Sequence, residues 1–165
     1  MASNSSFDIV SEVNFMEVEN AVCQAQKELS QRFDFKGSKS SIEFKKAEKK
    51  IIVIGDDDFK LKSVMDILEG RLVKRSISLK SLDKKPVEQA FEGTIRQIIE
   101  LTSGIPRDRS KDLIALVKKI CPKVQVQVEG EKVRVSSAKK DDLQTVIAGL
   151  RASEFALPLQ FTNYR

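Results

Sequence analysis

The amino-acid sequence predicts an α+β protein made of two similar antiparallel sandwiches that follow one another along the chain. Three observations support this prediction. Residues 124–150 show a β-hairpin pattern and then a helix pattern, the same order already occurs in residues 41–72, and each copy is flanked by further strand and helix patterns. A chain of 165 residues is compatible with one ordinary domain or with two small domains, so the repeat and not the length indicates two.

The clearest hairpin lies in the second copy. Residues 124–128 (VQVQV) alternate between apolar and polar side chains, residues 129–131 (EGE) form a turn, and residues 132–135 (KVRV) alternate again. Ser137 is the candidate N-cap of the helix that follows. The helix itself is predicted from apolar residues at helical spacing, namely Leu143, Val146, Ile147 and Leu150.

The first copy repeats this order. Residues 41–44 and 51–54 are predicted strands on either side of the charged turn KKAEKK. A helix pattern follows, with apolar residues at Leu61, Val64, Met65, Leu68 and Leu72.

The repeat extends outward on both sides. In the first copy, the strand FDIVSEV precedes a helix in which Asn14 and Glu17 form a capping-box signature. In the second copy, FEGTIRQIIEL is a predicted strand, although Ile95, Ile98 and Ile99 also suit a helix turn, and the next helix stops at Pro122. SISLKSL and ALPLQF are the closing extended pieces. The order β-α-β-β-α-β, found twice, is that of two tandem ferredoxin-like sandwiches.

Composition limits the classes of function. The chain has 29 Lys and Arg against 24 Asp and Glu, which gives a net charge of +5 and favours acidic partners. It has no His, so the commonest general base and metal ligand is missing, and we expect no metal and no cofactor. Cys23 and Cys121 lack CxxC spacing, and Cys23 is expected to be buried as a small hydrophobe. Without a signal or membrane segment, we expect a soluble cytoplasmic protein with no membrane partner.

Four separated motifs give the sequence a close resemblance to a known family. They are SFDIVSEV at 6–13, RFDFKG at 32–37, DDLQ at 141–144 and LQFTNYR at 159–165. With them, the chain resembles the bacterial YajQ family of nucleotide-binding proteins over essentially its whole length.

The resemblance implies two ferredoxin-like domains, residues 1–84 and 85–165, that exchange their N-terminal strands at 7–13 and 91–101. It also implies binding of nucleotides or nucleic acid and, for some members, recognition of cyclic di-GMP followed by action on transcription. No catalytic activity is implied, and no family residue is assigned to ligand contact, so the candidate sites below come from residue chemistry.

The first candidate site is the start of the last helix. The positive end of a helix dipole favours acids, and the equivalent first-copy helix begins with DDDFK, yet SSAKK opens this one. Ser136, Ser137, Lys139 and Lys140 would suit a phosphate. Alternatively, Asp141 and Asp142 satisfy the dipole and the lysines only contact water.

The second candidate site is the open sheet face of the second copy. Alternation places Gln125, Gln127 and Arg134 opposite the buried valines, where they could read a guanine base. A polar open face is also what any two-layer sandwich shows to solvent. The strands KIIVIG and KVRVSS lack the aromatic residues on which RNA-recognition sheets stack bases, which disfavours sequence-specific binding of single strands.

Three further segments combine cations with aromatic or flexible residues. Phe35 and Lys36 in RFDFKGSKSS suit base stacking beside cations. Alternatively, Phe33 continues a helix stripe and belongs to the core, and Phe35 anchors its loop. Arg109 lies in a loop whose basic groups meet either a phosphate or nearby acids, before a helix that Asp108 or Ser110 could cap. The C-terminal FTNYR either docks on the core or helps to close a cleft.

The leading functional hypothesis is a non-enzymatic nucleotide sensor, most plausibly for cyclic di-GMP, that acts through a transcriptional partner; GTP and ATP are further candidate ligands. The alternative is a general RNA- or DNA-binding protein, with tRNA among its possible partners. It would use a basic rim made of Lys45, Lys46, Lys49, Lys50, Arg134, Lys139 and Lys140. An enzyme is disfavoured because the chain lacks His and a glycine-rich phosphate loop, and a protein-interaction module would bind no nucleotide.

Overall fold

The computed structural model describes residues 4–165, which form four α-helices and two antiparallel sheets. The helices are α1 (Phe15–Gln31), α2 (Asp58–Lys74), α3 (Arg107–Ile120) and α4 (Lys140–Ala152). The strands are β1 (Ser5–Val10), β2 (Ser41–Lys45), β3 (Lys50–Gly55), β4 (Leu82–Lys84), β5 (Glu88–Gln89), β6 (Ile95–Leu101), β7 (Gln125–Glu129), β8 (Lys132–Ser137) and β9 (Gln160–Thr162). The predicted class, α+β with tandem ferredoxin-like sandwiches, is confirmed.

The described chain forms two compact units. The central unit contains residues 13–102, and the terminal unit contains residues 4–12 together with residues 103–165. In the central unit the strand order is β2-β3-β6-β4, with β5 also paired to β6. In the terminal unit the order is β7-β8-β1-β9, so the first strand of the chain lies between two strands from its second half.

Each unit packs its two helices against one face of its sheet. In the central unit, α1 and α2 cover a face of β-branched residues that includes Ile51, Val53 and Ile99. In the terminal unit, α3 and α4 cover Phe7, Ile9 and the valines of β8. Removal of this apolar surface from water is the main stabilising contribution to both units.

Several local predictions about the elements are confirmed. The segment Ile95–Leu101, whose isoleucines also suited a helix turn, is strand β6 and is paired along its length with β3. Asn14 is the N-cap of α1, and its side chain accepts hydrogen bonds from the backbone N–H groups of Met16 and Glu17 at 3.1 and 3.3 Å.

Three predicted strands are shorter than expected. Of the segment ALPLQF, only Gln160 and Phe161 belong to a strand, β9. Residues Phe91–Gly93 form a tight turn and not a strand, because Glu92 and Gly93 have positive φ angles of 49° and 78°, and β6 starts only at Ile95. In the segment SISLKSL, Leu79–Ser81 is another 3-10 turn, and strand β4 begins at Leu82.

Two predicted caps are wrong. Ser137 is the last residue of β8, and the N-cap of α4 is Lys139, whose side chain makes no capping bond. Helix α3 begins at Arg107 after Pro106, so neither Asp108 nor Ser110 is its cap. Pro106 occupies the N-cap position in an extended conformation and has no side-chain group that could accept a capping hydrogen bond.

Two burial predictions are wrong as well. Phe33 is 88% exposed, because α1 ends at Gln31 and Arg32 is extended, so the helical stripe does not continue to residue 33. Cys23 is exposed, since the buried side of α1 is formed by Val18, Ala21, Val22, Ala25 and Leu29. Among residues 4–165, none of the helices combines the length and apolar character needed to cross a bilayer.

Candidate functional site

The start of α4 combines a satisfied acidic turn with exposed lysines. The Ser137 hydroxyl accepts a hydrogen bond from the Lys139 backbone N–H at 3.2 Å and donates one to the Asp142 carboxylate at 3.0 Å. Ser137 is also buried, so its hydroxyl serves the protein itself. Asp141 and Asp142 occupy the first turn, where the helix dipole favours them, while Lys139 and Lys140 remain exposed.

Lys140 borders a cleft in the terminal unit, which we call the Tyr164 cleft. Its volume is about 350 Å³. It lies between the first strand, one face of α4 and the C-terminal residues. Its lining consists of Ser5, Ser6, Phe7, Lys140, Leu143, Gln144, Ile147, Tyr164 and Arg165.

Helix α4 supplies one wall of the Tyr164 cleft at regular spacing. Lys140 and Gln144 are four residues apart and therefore lie on neighbouring turns of the same face. Leu143 and Ile147 form an apolar surface beside them and are mostly buried in the core of the terminal unit. This wall thus offers a cation, an amide and an apolar floor within two turns.

The opposite wall is the C-terminal segment, held on strand β1. The backbone N–H and C=O groups of Ser6 and Arg165 exchange two hydrogen bonds, with N···O distances of 3.2 and 2.9 Å. Tyr164 is 59% exposed, and its ring stacks on Phe7 with centroids 6.2 Å apart. Phe7 also contacts Phe161 edge to face at 5.8 Å. FTNYR therefore both docks on the core and borders a cleft.

The Tyr164 cleft suits a ligand that has a flat ring and an anionic group. A partly exposed aromatic ring can stack on a base, and such stacking tolerates any base because each has a π-face. Lys140 and Arg165 supply positive charge, and an arginine fork matches a phosphate in geometry. Gln144 and the two serines can donate and accept hydrogen bonds.

The open face of the terminal sheet has a different character, because Arg134 is already paired. Its Nε donates to Asp8 Oδ1 at 2.9 Å, and its Nη1 donates to Glu129 Oε1 at 3.0 Å. Asp8, in β1, is only 1% exposed. The hydrogen bond from Arg134 lowers the pKa of Asp8 below its ordinary value, and a further one from Asn163 adds to this effect against the opposing effect of burial.

The other predicted residues of this face lie beside Arg134 and Ser136. Gln127 is opposite Arg134 and Gln125 is opposite Ser136, and both glutamines are exposed. A guanine placed here would have to compete with Asp8 and Glu129 for the guanidinium of Arg134. The face is thus a weaker candidate than the Tyr164 cleft.

The remaining candidates lie away from this cleft. Phe35 is buried in the central unit, with the cations of Arg32 and Lys60 at 5.6 and 4.7 Å from its ring centre, so it anchors its loop. Lys36 is exposed next to it. Arg109 is exposed in the first turn of α3. None of these three lines the Tyr164 cleft.

Of the ten residues predicted from chemistry, the Tyr164 cleft includes Lys140. The sequence did not identify Gln144 or the apolar floor as part of a site. For Tyr164 and Arg165 it left open whether they dock on the core or help to close a cleft. The helical spacing of residues 140, 143, 144 and 147 was visible in the sequence. The pairing of residue 6 with residue 165 was not, because it joins the two ends of the described chain. Within residues 4–165, no group of three or more Cys, Asp or Glu side chains is arranged to hold a metal ion.

The tandem ferredoxin-like fold, with a small cleft that has an aromatic wall and two bordering cations, places the protein among the two-layer α+β proteins. A family model described as "Nucleotide-binding protein YajQ-like" matches residues 5–165. The chain therefore belongs to the YajQ family, as its four motifs predicted.

Known proteins support this membership along the full length. A protein of Endomicrobium trichonymphae is 60% identical over 165 residues, which cover all of both chains. Proteins of Carboxydothermus hydrogenoformans and Desulfitobacterium hafniense are 56% and 53% identical, again over the whole of both chains. Each of the three carries the name "Nucleotide-binding protein".

Proposed function

We propose that this chain is a non-enzymatic nucleotide-binding protein and that its ligand occupies the Tyr164 cleft. The observation that supports this most directly is the convergence of an exposed aromatic ring, two cations and an apolar floor in one cleft of about 350 Å³. The names of the three relatives point to the same class of ligand.

Each residue of the cleft has a role in this proposal. The base stacks on Tyr164, at a gain of about 1–3 kcal/mol. Gln144 contacts polar atoms of the base edge, and the apolar floor of Leu143 and Ile147 keeps water from the other side of the ligand. Lys140 and Arg165 bind the phosphate, with charge-assisted hydrogen bonds that are roughly twice as strong as neutral ones.

We further propose cyclic di-GMP as the ligand and a transcription factor as the partner that responds to it. The cleft volume is near the lower end of the range of about 300–1,000 Å³ typical of small-molecule sites. One guanosine unit would therefore occupy the cleft, and the second unit would extend past its rim. GTP and ATP, each with a single nucleoside, are the natural comparison ligands.

The test is a titration with cyclic di-GMP, GTP and ATP, followed by calorimetry and by the fluorescence of Tyr164. Since the chain has one Tyr and no Trp, its intrinsic fluorescence comes from the cleft wall. Lys140→Ala should weaken binding by about tenfold, which is about 1.4 kcal/mol. Lys139→Ala is the matched control, because Lys139 is an exposed lysine next in sequence that does not line the cleft.

Other outcomes would separate the competing functions. If Lys140→Ala and Lys139→Ala bound the nucleotide with equal affinity, the ligand would not occupy the Tyr164 cleft. Tighter binding of GTP than of cyclic di-GMP would contradict the cyclic dinucleotide proposal and leave nucleotide binding intact.

The alternative, a general RNA- or DNA-binding function through basic surface residues, predicts tight binding of a short RNA and an affinity that falls steeply with salt. Its basic rim is partly engaged within the protein. In the central unit, Lys45 and Lys50 pair with Glu48, and Lys46 pairs with Glu19, at N···O distances of 3.5 to 4.0 Å. These pairs reduce the charge available to phosphates.

A further inference from the structure

Asp8 is a buried carboxylate on the face of β1 that does not belong to the hydrophobic core. Its neighbours Phe7 and Ile9 point into the core, whereas Asp8 is paired across the sheet with Arg134 and Thr162. It is nevertheless only 1% exposed. A buried charge persists only when it is paired and hydrogen-bonded.

The partners of Asp8 come from two parts of the terminal unit. On one side, the β7–β8 hairpin supplies Arg134 at 2.9 Å and Lys132 at 3.5 Å from its carboxylate oxygens. On the other side, the Asn163 side-chain amide donates a hydrogen bond to Asp8 Oδ2 at 2.9 Å. The carboxylate thus joins the hairpin to the C-terminal segment.

Asn163 is the point at which the C-terminal segment leaves strand β9. Its φ angle of 56° is in the left-handed region, which asparagine tolerates better than most residues. The chain then reaches Tyr164 and Arg165, and Arg165 makes its two backbone hydrogen bonds with Ser6. Tyr164 is therefore held between two fixed points, one of which is the Asp8–Asn163 hydrogen bond.

We propose that Asp8 is a positioning residue for the Tyr164 cleft. Its side chain points to the opposite face of the sheet from Phe7, so it does not touch the ligand. It acts through Asn163, which sets the direction in which Tyr164 and Arg165 leave the sheet. The expected effect of Asp8 on nucleotide affinity rests on the proposed function. Its effect on the position of Tyr164 does not, because that effect is present in the protein without ligand.

The simpler role for Asp8 is to balance the charge of Arg134, and the two roles differ in what they predict. A residue that only balances Arg134 would change stability when altered, with no specific effect on Tyr164. A positioning residue would change the mobility of the Tyr164 ring in the ligand-free protein. The two roles can therefore be separated with the single tyrosine as reporter.

The experiment measures the fluorescence anisotropy of Tyr164 and its quenching by acrylamide, without ligand, in the full-length protein. The test variants are Asp8→Asn and Asn163→Gly. Glycine tolerates the positive φ angle at residue 163 and removes the side chain whose amide contacts Asp8. Because glycine also frees the backbone at that position, Asp8→Asn, which leaves residue 163 unchanged, shows whether the effect comes from the hydrogen bond. The matched control is Lys132→Ala, which removes an Asp8 contact from the hairpin side and leaves Asn163 in place.

In both test variants we expect lower anisotropy and stronger quenching than in the wild type, with no such change in Lys132→Ala. The same variants should bind the nucleotide identified by the titration about tenfold more weakly, the loss expected for a charge-assisted hydrogen bond that orders the site. Circular dichroism checks that each variant is folded. If Asp8→Asn does not fold, unchanged anisotropy in Asn163→Gly still overturns the positioning role.

Unchanged anisotropy and quenching in Asn163→Gly would overturn the positioning role, whatever the nucleotide titration shows. If the wild type binds no nucleotide while the anisotropy falls as expected, the proposed function fails and Asp8 still positions Tyr164. If the anisotropy falls and the wild type and the variants bind nucleotide with equal affinity, Asp8 positions Tyr164 but the proposal that this positioning serves binding is wrong. The failure of one proposal is therefore distinguishable from the failure of the other.

Discussion

At the scale of single residues, charge compensation decides what a side chain is available to do. Arg134 looks from its position in the strand like a reader of bases, but its guanidinium contacts Asp8 and Glu129. Lys140, in contrast, takes part in none of the ion pairs found among the described residues, and it borders a cleft. Alternation in a strand predicts the face of the sheet on which a residue lies. It does not predict which distant side chains will pair with that residue, because the fold decides this.

The lowered pKa of Asp8 predicts how stability depends on pH. A carboxylate whose pKa is lower in the folded state stabilises the protein fully at pH values above its unfolded pKa, which is about 3.9 for Asp. This stabilisation is lost as the pH falls through the folded pKa. Urea unfolding of the wild type should therefore show a loss of stability below about pH 4, and Asp8→Asn should show a smaller loss.

Asp34→Asn is the control for this pH experiment. The pKa of Asp34 is also lowered, mainly by its hydrogen bond from Arg32, but both side chains are exposed and solvent screens their interaction. Its removal should change the pH dependence less than removal of Asp8 does. An equal effect of the two variants would contradict the importance given to burial at Asp8.

Phe33 and Phe35 show why single residues are hard to place from sequence. Both lie just after the amphipathic helix α1, and the periodicity of that helix favoured Phe33 as core. The helix ends two residues earlier, so Phe35 is the buried one and Phe33 faces solvent. An error of two residues in a helix end is enough to exchange their roles.

At the scale of elements, hydrophobic periodicity predicted all four helices and most strands. It failed where backbone conformation, rather than side-chain pattern, sets the limits. The left-handed residues Glu92 and Gly93 shorten the predicted strand before β6, and Pro106 starts α3 without a capping side chain. Such features depend on local backbone angles that a polar–apolar pattern does not encode.

The contact between β3 and α2 gives a prediction at this scale. A Cβ atom on Gly55, the last residue of β3, would lie 2.5 Å from the backbone N of Leu61 in α2. Since backbone atoms cannot move aside easily, Gly55→Ala should lower the free energy of unfolding by about 1–3 kcal/mol. Thermal and urea unfolding measure this change.

Gly70→Ala is the matched control for Gly55→Ala. Gly70 lies within α2, and nothing is within 4 Å of the position of its Cβ. Alanine should therefore stabilise the helix by about 0.5–1 kcal/mol through its better helix propensity. If Gly55→Ala were as stable as Gly70→Ala, the strand and helix would not approach as closely as described.

At the scale of the whole molecule, we propose that the two sequence repeats, residues 1–84 and 85–165, exchange their first strands. Strand β1, from the first repeat, pairs with β8 and β9 of the second. Strand β6, from the second repeat, pairs with β3 and β4 of the first. The repeat in the sequence predicted the order of the elements but not these partners, because both pairings satisfy the same local pattern.

The strand exchange predicts which part of the chain loses hydrogen-exchange protection when a core residue of an exchanged strand is replaced. Ile9 in β1 and Ile99 in β6 are both fully buried, so replacement by Ala should cost about 2–5 kcal/mol. In hydrogen exchange read by mass spectrometry, Ile9→Ala should reduce protection mainly in residues 103–165. Ile99→Ala should reduce it mainly in residues 13–102. The opposite assignment would show that each strand stabilises its own repeat.

The Tyr164 cleft was hard to predict because its two walls come from segments that are far apart in the sequence. Lys140 was recognised because its helix begins with charges opposite to those of the equivalent helix. The wall across from it combines Ser5, Ser6 and Phe7 with Tyr164 and Arg165, residues from the two ends of the chain. No motif in one segment records a site that long-range strand pairing assembles.

The position of β1 has a consequence for synthesis on the ribosome. The central unit is a continuous stretch, so all of its partners have emerged once residue 102 has left the exit tunnel. Strand β1 is translated well before its sheet neighbours β8 and β9, because the whole central unit lies between them in the sequence. The nascent chain must therefore keep an apolar strand, with Phe7 and Ile9, from aggregating until β8 and β9 have also emerged.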